Sequence, residues 1–349
     1  MAAREPRRVD RGPLVAGVEL GAGALRAVLG RREDGRLRVV AASAASLPAG
    51  AVSGGLVVDR AAVTAAAASL LDELSPRERA ARTVIALDGD DVRTYHTATA
   101  FERMEATEPI NAAEAAKAVR EAREEAARAA QAAVSDDPAL RGIVTTQLDA
   151  ALGGLVLDGR PLATLVGFHG RSVVVHTDVA LAPLLTAGAA SAVLDGARRR
   201  GGATSGIYAL ARLLVASGYS EGGVLRLGAD VTAYAVVRDG RVVATRVFGL
   251  GRDALLARDG TRETDAKVWA RCVLAPHDAV EGHFPSRWVF VGVPESLIAL
   301  PRALGDERGG RVDISPLKVS GAGRLATEAD LHADHLVAAG AAAIAAELY

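Results

Sequence analysis

Short apolar runs and turn residues alternate from the start of the chain. Residues 14–20, 25–29 and 37–45 are three such runs, separated by Gly21/Gly23 and by Glu33-Asp34-Gly35. This spacing predicts an antiparallel meander: strand, Gly turn, strand, Asp-Gly turn, strand. Asp59 is placed to cap a helix over 61–74. Residues 83–87 read as a short buried strand, and the polar stretch 1–12 as disordered.

The same pattern returns about two hundred residues later. Residues 223–227, 231–237 and 241–248 again read as three strands, with Gly228 in the first turn and Asp239-Gly240 in the second. Helices are expected at 253–256 and 264–274, a strand at 289–291, a short helix at 295–300 before Pro301, and a closing helix over 331–348. The recurrence reads as an internal duplication, two related subdomains and not a solenoid. Different material lies between the copies. Residues 92–101 alternate as a strand does. Residues 111–134 are rich in Ala, Glu and Arg without Gly or Pro, which predicts a long helix whose apolar side is nearly all alanine. Ser135-Asp136-Asp137-Pro138 should end it. Strands are expected at 143–152, 155–157 and 173–176, then a helix over 179–198, a turn at Gly201-Gly202 and a helix over 207–217.

Composition narrows the functional classes. Aromatic residues are 3% of the 349, so the core must be built from Ala, Val and Leu. Basic and acidic residues number 41 and 42, leaving a net charge of −1 and no excess to neutralise nucleic-acid phosphates. Cys272 is the single cysteine, which excludes an internal disulfide framework and cysteine-based metal sites. Arg4, Arg7 and Arg8 are followed by no apolar signal core, and the run 14–20 is short and contains Glu19. A cytoplasmic protein is expected, recruited to the inner face of the cell membrane where a partner brings it there.

Candidate chemistry centres on the two Gly turns. In Val18-Glu19-Leu20-Gly21-Ala22-Gly23-Ala24-Leu25-Arg26 a strand ends in an acid two residues before a glycine. Small residues let backbone N–H groups approach a phosphate, and Arg26 can reach that phosphate or the acid. An ordinary hairpin turn is the competing reading. The segment is no dinucleotide fingerprint, and no G-x-x-x-x-G-K-[ST] loop occurs. His332 and His335, with Asp330 and Asp334, stand at i, i+3 and suit either a divalent metal or the polar start of a helix. The second fits the helix dipole, and no metal site is assigned. His277, Asp278 and His283 have no recognisable spacing, no Gly-x-Ser-x-Gly occurs, and Arg198-Arg199-Arg200 reads as a solvated helix end.

The duplication and its turns resemble the actin-like ATPase superfamily (actin, Hsp70 and sugar kinases), and within it the FtsA-type bacterial division proteins. The family's first phosphate loop, D-x-G-[TS], stands here as Glu19-Leu20-Gly21-Ala22. Gly54-Gly55-Leu56-Val57-Val58-Asp59 resembles the G-x-V-x-D segment before the first FtsA helix. Leu157-Asp158-Gly159-Arg160-Pro161, followed by Gly167, Gly170, Val173 and His176, matches the V-D-G…G…G…V-H-[IV] spacing of the inserted 1C or SHS2 domain. A basic residue five after Gly21 is closer to actin and to the pilus protein PilM. The second loop, D-[IL]-G-G-G-T-T-D in the family, reads Arg226-Leu227-Gly228-Ala229-Asp230-Val231-Thr232-Ala233. The adenine-side T-G-G-[GS] reads Val291-Gly292-Val293-Pro294-Glu295. An acid has become Arg226, Asp230 interrupts the glycines and would repel phosphate oxygens, and Pro294 removes a donor.

The resemblance implies an α/β, actin-like (ribonuclease H-like) duplicated fold. It has two mixed-sheet subdomains of five strands each, facing across a cleft, with an inserted SHS2-type domain. Residues 13–88 and 179–218 would form the first subdomain, 89–178 the insert, 219–330 the second subdomain and 331–349 the last helix. It implies ATP and Mg2+ in the cleft, with Glu19, Gly21, Ala22, Gly23, Arg26, Gly228 and Gly292 as the nucleotide-binding residues still in register. No catalytic residue is assigned, and the altered loops predict a pseudo-ATPase or at most a weak one. The implied role is a scaffold of the division machinery that binds an FtsZ-type tail and can form homo-oligomers or filaments. A PilM-type scaffold holding a membrane-protein tail of a pilus or secretion machine is the alternative. A small-molecule kinase of the same superfamily fits less well. FtsA-type proteins end in a membrane-binding amphipathic helix, whereas this sequence stops at Tyr349, so membrane contact is expected only through a partner.

Overall fold

A computed structural model describes residues 12–75, 78–257, 262–278, 284–327 and 329–347. The expected disorder of residues 1–11 and the end of the closing helix at 348–349 lie outside the described residues. The chain runs β1 (Leu14–Leu20), β2 (Ala24–Glu33), β3 (Arg36–Ser46), the two-residue strands β4 (Val52–Ser53) and β5 (Leu56–Val57), α1 (Arg60–Leu74) and β6 (Arg82–Leu87). Next come β7 (Arg93–Glu102), α2 (Ala112–Asp136), β8 (Thr145–Leu157), β9 (Arg160–Leu162), β10 (Ser172–Pro183), α3 (Leu184–Gly196), β11 (Gly201–Ser205) and α4 (Gly206–Ala216). The last part holds β12 (Gly222–Leu227), β13 (Thr232–Arg238), β14 (Arg241–Phe248), α5 (Arg252–Leu256), α6 (Arg262–Asp278), β15 (Arg287–Val291), α7 (Ala299–Glu307), β16 (Asp313–Pro316), β17 (Leu325–Thr327) and α8 (Leu336–Ala345).

The duplication is visible in the sheets. One has the order β11-β6-β1-β2-β3-β17 and the other β14-β13-β12-β15-β16. Each contains an antiparallel meander whose first strand pairs in parallel with the next strand of its unit, β1 with β6 and β12 with β15. The Asp-Gly turns of the two meanders share one backbone: φ is +49° and +73° at Asp34-Gly35, +51° and +66° at Asp239-Gly240. Two successive positive φ values make the hairpin turn whose twist matches its strands. The first sheet has six strands, not the expected five, because β17 returns from the second half of the chain and pairs in parallel with β3.

A four-stranded sheet, β7-β10-β8-β9, carries α2 on one face. Asn111 caps α2 by accepting the Glu114 N–H at 2.9 Å, and Ala122, Ala126, Ala130 and Val134 bury its apolar stripe. The expected break between strands at 152 and 155 is absent. Gly153 is instead a bulge in β8, the residue skipped where His176 pairs with Gly154 and Thr177 with Leu152. A Cβ there would come within 2.9 Å of the Asp178 carboxylate. The helix expected from 179 begins only at Leu184, because Val179–Pro183 is buried throughout and continues β10 between two partners. A short apolar run suits either structure, and here pairing decided. Gly201-Gly202 starts an edge strand and not a turn, since Gly201 lies too close to Thr83 for any side chain. Pro301 sits inside the first turn of α7, where its missing N–H has no helical partner to lose, and does not end a helix. The closing helix starts at Leu336, after a 3-10 turn over Ala333–His335.

α8 is the central element of the core. Nine of its residues are buried, packed against α4, β1 and β6. Only glycine allows the approach: a Cβ on Gly17 would sit 2.0 Å from the Ala338 carbonyl oxygen, and one on Gly340 2.4 Å from that of Ala209.

Candidate functional site

All of the residues expected in the cleft line one cavity of about 140 Å3 between the two large sheets: Glu19, Gly21, Ala22, Gly23, Arg26, Gly228 and Gly292. The fold brings them together by symmetry. β1 and β12 are equivalent strands, and the turns that follow them face each other across the cavity. Each turn is closed in the same way. The Gly21 N–H donates to the Ala24 carbonyl at 3.1 Å, and the Gly228 N–H to the Val231 carbonyl at 2.8 Å. These two donors therefore serve their own hairpins. Gly292 has φ +75°, and a Cβ there would lie 2.4 Å from the Leu227 carbonyl oxygen.

The centre of the site is Arg226. It is 8% exposed and points from β12 towards the first sheet. One guanidinium nitrogen donates to Glu19 Oε1, and another to Asp88 Oδ2 at 2.8 Å. Glu19 is the penultimate residue of β1 and Asp88 directly follows β6, so both acids stand at the carboxyl ends of neighbouring parallel strands. Asp88 also accepts the Ile207 N–H at 2.8 Å, at the start of α4. Arg26 lies opposite Glu19 in the β1–β2 ladder, with Nη1 3.6 Å from Oε1. Burial opposes the charge on Arg226, but Glu19 and Asp88 outweigh it and hold the guanidinium protonated. Burial pushes the Asp88 carboxyl up, against the pull of Arg226 and of the Ile207 N–H.

Two further features close the space. Asp230, in the second Gly turn, accepts the Gly54 N–H on its Oδ2 at 2.6 Å. Gly54 belongs to the Gly54–Asp59 stretch singled out in the sequence, and its neighbour Gly55 lines the cavity. His335 lies half-buried near Arg26. Burial and then Arg26 hold its pKa down, while Asp334 and Glu19 pull it up.

Mg2+ and ATP do not fit this arrangement. Glu19 and Asp88, the acids at the strand ends, are already paired with Arg226. The Asp230 carboxylate stands in the glycine turn, and the cavity is smaller than the ~300–1,000 Å3 usual for ligand pockets. His332 Nδ1 lies 3.5 Å from Asp334 Oδ2, while both His335 ring nitrogens are buried without a hydrogen-bond partner. Among the described residues no group of three or more His, Cys, Asp or Glu could hold a metal. The side chains of His277, Asp278 and His283 lie outside the described residues.

Asp88 was missed by sequence reasoning. The available signal was its place at the carboxyl end of a buried strand, where open α/β sheets put their ligand-facing groups.

No family model and no curated protein matches the sequence. Solved structures do. The PilM-PilN type IV pilus biogenesis complex is similar over 95% of this chain and 98% of that one, at TM-score 0.59 and 20% identity. The ethanolamine utilization protein EutJ from Carboxydothermus hydrogenoformans is similar over 95% and 89%, at 0.49 and 14%. The cytoplasmic domain of EpsL, an inner membrane component of the type II secretion system of Vibrio cholerae, is similar over 94% of each chain, at 0.43 and 10%. The chain has the fold of the actin-like ATPase superfamily.

Proposed function

We propose that this protein is an actin-like scaffold that acts through protein partners, with a cleft that no longer performs Mg-ATP chemistry. The observation that carries the reading is Arg226, whose guanidinium sits between the two acids that would otherwise face a metal. The favoured setting is a type IV pilus or secretion machine, with the protein holding a short tail of a membrane protein on the cytoplasmic side. The whole-chain likeness to the PilM-PilN complex supports it. Among the described residues no helix is long and apolar enough to cross a membrane.

A division scaffold of FtsA type is the second reading. Its support is the Asp158-Gly159…His176 spacing, which here runs from the β8–β9 turn to β10 of the four-stranded sheet; residues 89–178 would then be an SHS2-type insert. An FtsZ-type tail would be the partner, with self-association into filaments.

The cleft is tested by melting temperature. Millimolar Mg-ATP should leave it unchanged. A clear rise that Gly21→Asp abolishes would sink the pseudo-ATPase reading. The partner is tested by capture of synthetic tails. Retention of the cytoplasmic peptide of a pilus membrane protein, and not of an FtsZ C-terminal peptide, supports the pilus reading, and the reverse supports division.

A further inference from the structure

We infer that Arg226 is a built-in counter-cation that holds the two halves of the cleft in one fixed, closed arrangement, in place of a metal that could leave. The inference rests on the reading of the cleft as free of Mg-ATP chemistry and adds what replaced it.

Arg226 belongs to the β14-β13-β12-β15-β16 sheet, while Glu19 and Asp88 belong to the other large sheet and its following loop. The guanidinium therefore ties the halves at two points. Two buried carboxylates this close repel each other and need a cation between them to stay ionised. A dissociable ion would make closure depend on its concentration. A side chain anchored in a strand does not depart, and its planar fork can serve two carboxylates together. The Asp230–Gly54 hydrogen bond, between residues 176 apart in sequence, is a second tie across the same gap. A ligand shifts a conformational equilibrium only through its different affinity for the two states. With the cation supplied from within, metal and nucleotide have no such handle here.

The test is the distance between the halves, read by double electron–electron resonance. Spin labels go on Ser69→Cys in α1 and Arg302→Cys in α7, both exposed, in a Cys272→Ser background. The parent protein should give one narrow distribution, unchanged by EDTA or by millimolar Mg2+. Arg226→Ala should broaden it towards longer distances, and millimolar Mg2+ alone should narrow it again by entering between Glu19 and Asp88. An unchanged distribution in Arg226→Ala, or one that Mg2+ fails to narrow, overturns the proposal. If Arg226→Ala does not fold, Asp88→Asn is read instead: losing one tie should broaden the distribution, and no broadening overturns the proposal. A parent distribution that responds to Mg-ATP overturns the underlying reading of the cleft, which separates the two failures.

Discussion

Arg226 illustrates what a residue says alone and what it says in place. In the sequence it marks a lost acid; in the fold it pairs with two buried acids of the opposite sheet and its following loop. Its partner Asp88 is 138 residues away, beyond any local pattern. His335 is another residue whose meaning lies in its surroundings. Its pKa is held below 6.5 by burial and by Arg26. Such an imidazole stays neutral in the fold but takes a proton on unfolding, so stability should fall as pH drops through 6.5 and level off below the folded-state value. His335→Gln removes the titration. It should make the stability profile less steep below pH 6.5, with His176, also held low by burial and Arg241, supplying part of the remaining slope, as read by urea unfolding at a series of pH values. Equal slopes for parent and variant would contradict this.

Elements were legible where one signal dominated. Asp59 caps α1 by accepting the Ala62 N–H at 3.0 Å, and Asn111 caps α2, both where helix starts were expected. Apolar stretches without periodicity were ambiguous, which is why β10 was read too short and α3 too long. Contacts between elements were not legible. The Tyr208 hydroxyl donates to Asp178 Oδ2 at 2.8 Å, and His96 Nδ1 meets Asp178 Oδ1 at 2.8 Å, so α4 and the four-stranded sheet share one buried carboxylate. Tyr208→Phe leaves that oxygen without its donor and should cost about 1–3 kcal/mol in denaturant unfolding. Gly17→Ala pushes a methyl into the backbone of α8. It should cost about 3 kcal/mol or more, with amide exchange accelerated first in α8. A neutral result would mean that α8 can slide away from β1. Near the tip of α2, Arg103 donates to Glu114 at 2.6 Å and to the Gly170 carbonyl at 2.7 Å. That bond holds the Glu114 pKa below its usual value, so its contribution is present above about pH 4.5 and fades as pH falls through the lowered value.

At the scale of the whole molecule, the two halves are not independent. β17 pairs with β3, and α8 packs on β1, β6 and α4, so the end of the described chain completes the first sheet and its core. Deleting everything after Gly323 should therefore loosen the first half and not only the second. Fast amide exchange in β1 and β3 of the truncated protein is the expected outcome; protection equal to the parent's would show that the halves stand alone.

The repeated meander, its Asp-Gly turns and the helix caps were determined by sequence alone, because turn chemistry and hydrophobic period act over a few residues. The same local reading put Glu19, Gly21, Ala22, Gly23, Arg26, Gly228 and Gly292 at strand ends and turns. Their convergence on one cavity, the arrival of Asp88 and the role of Arg226 were decided by tertiary structure. Pairing two sheets across a cleft sets which charges are buried together, and a buried charge takes its meaning from partners that no local stretch of sequence contains.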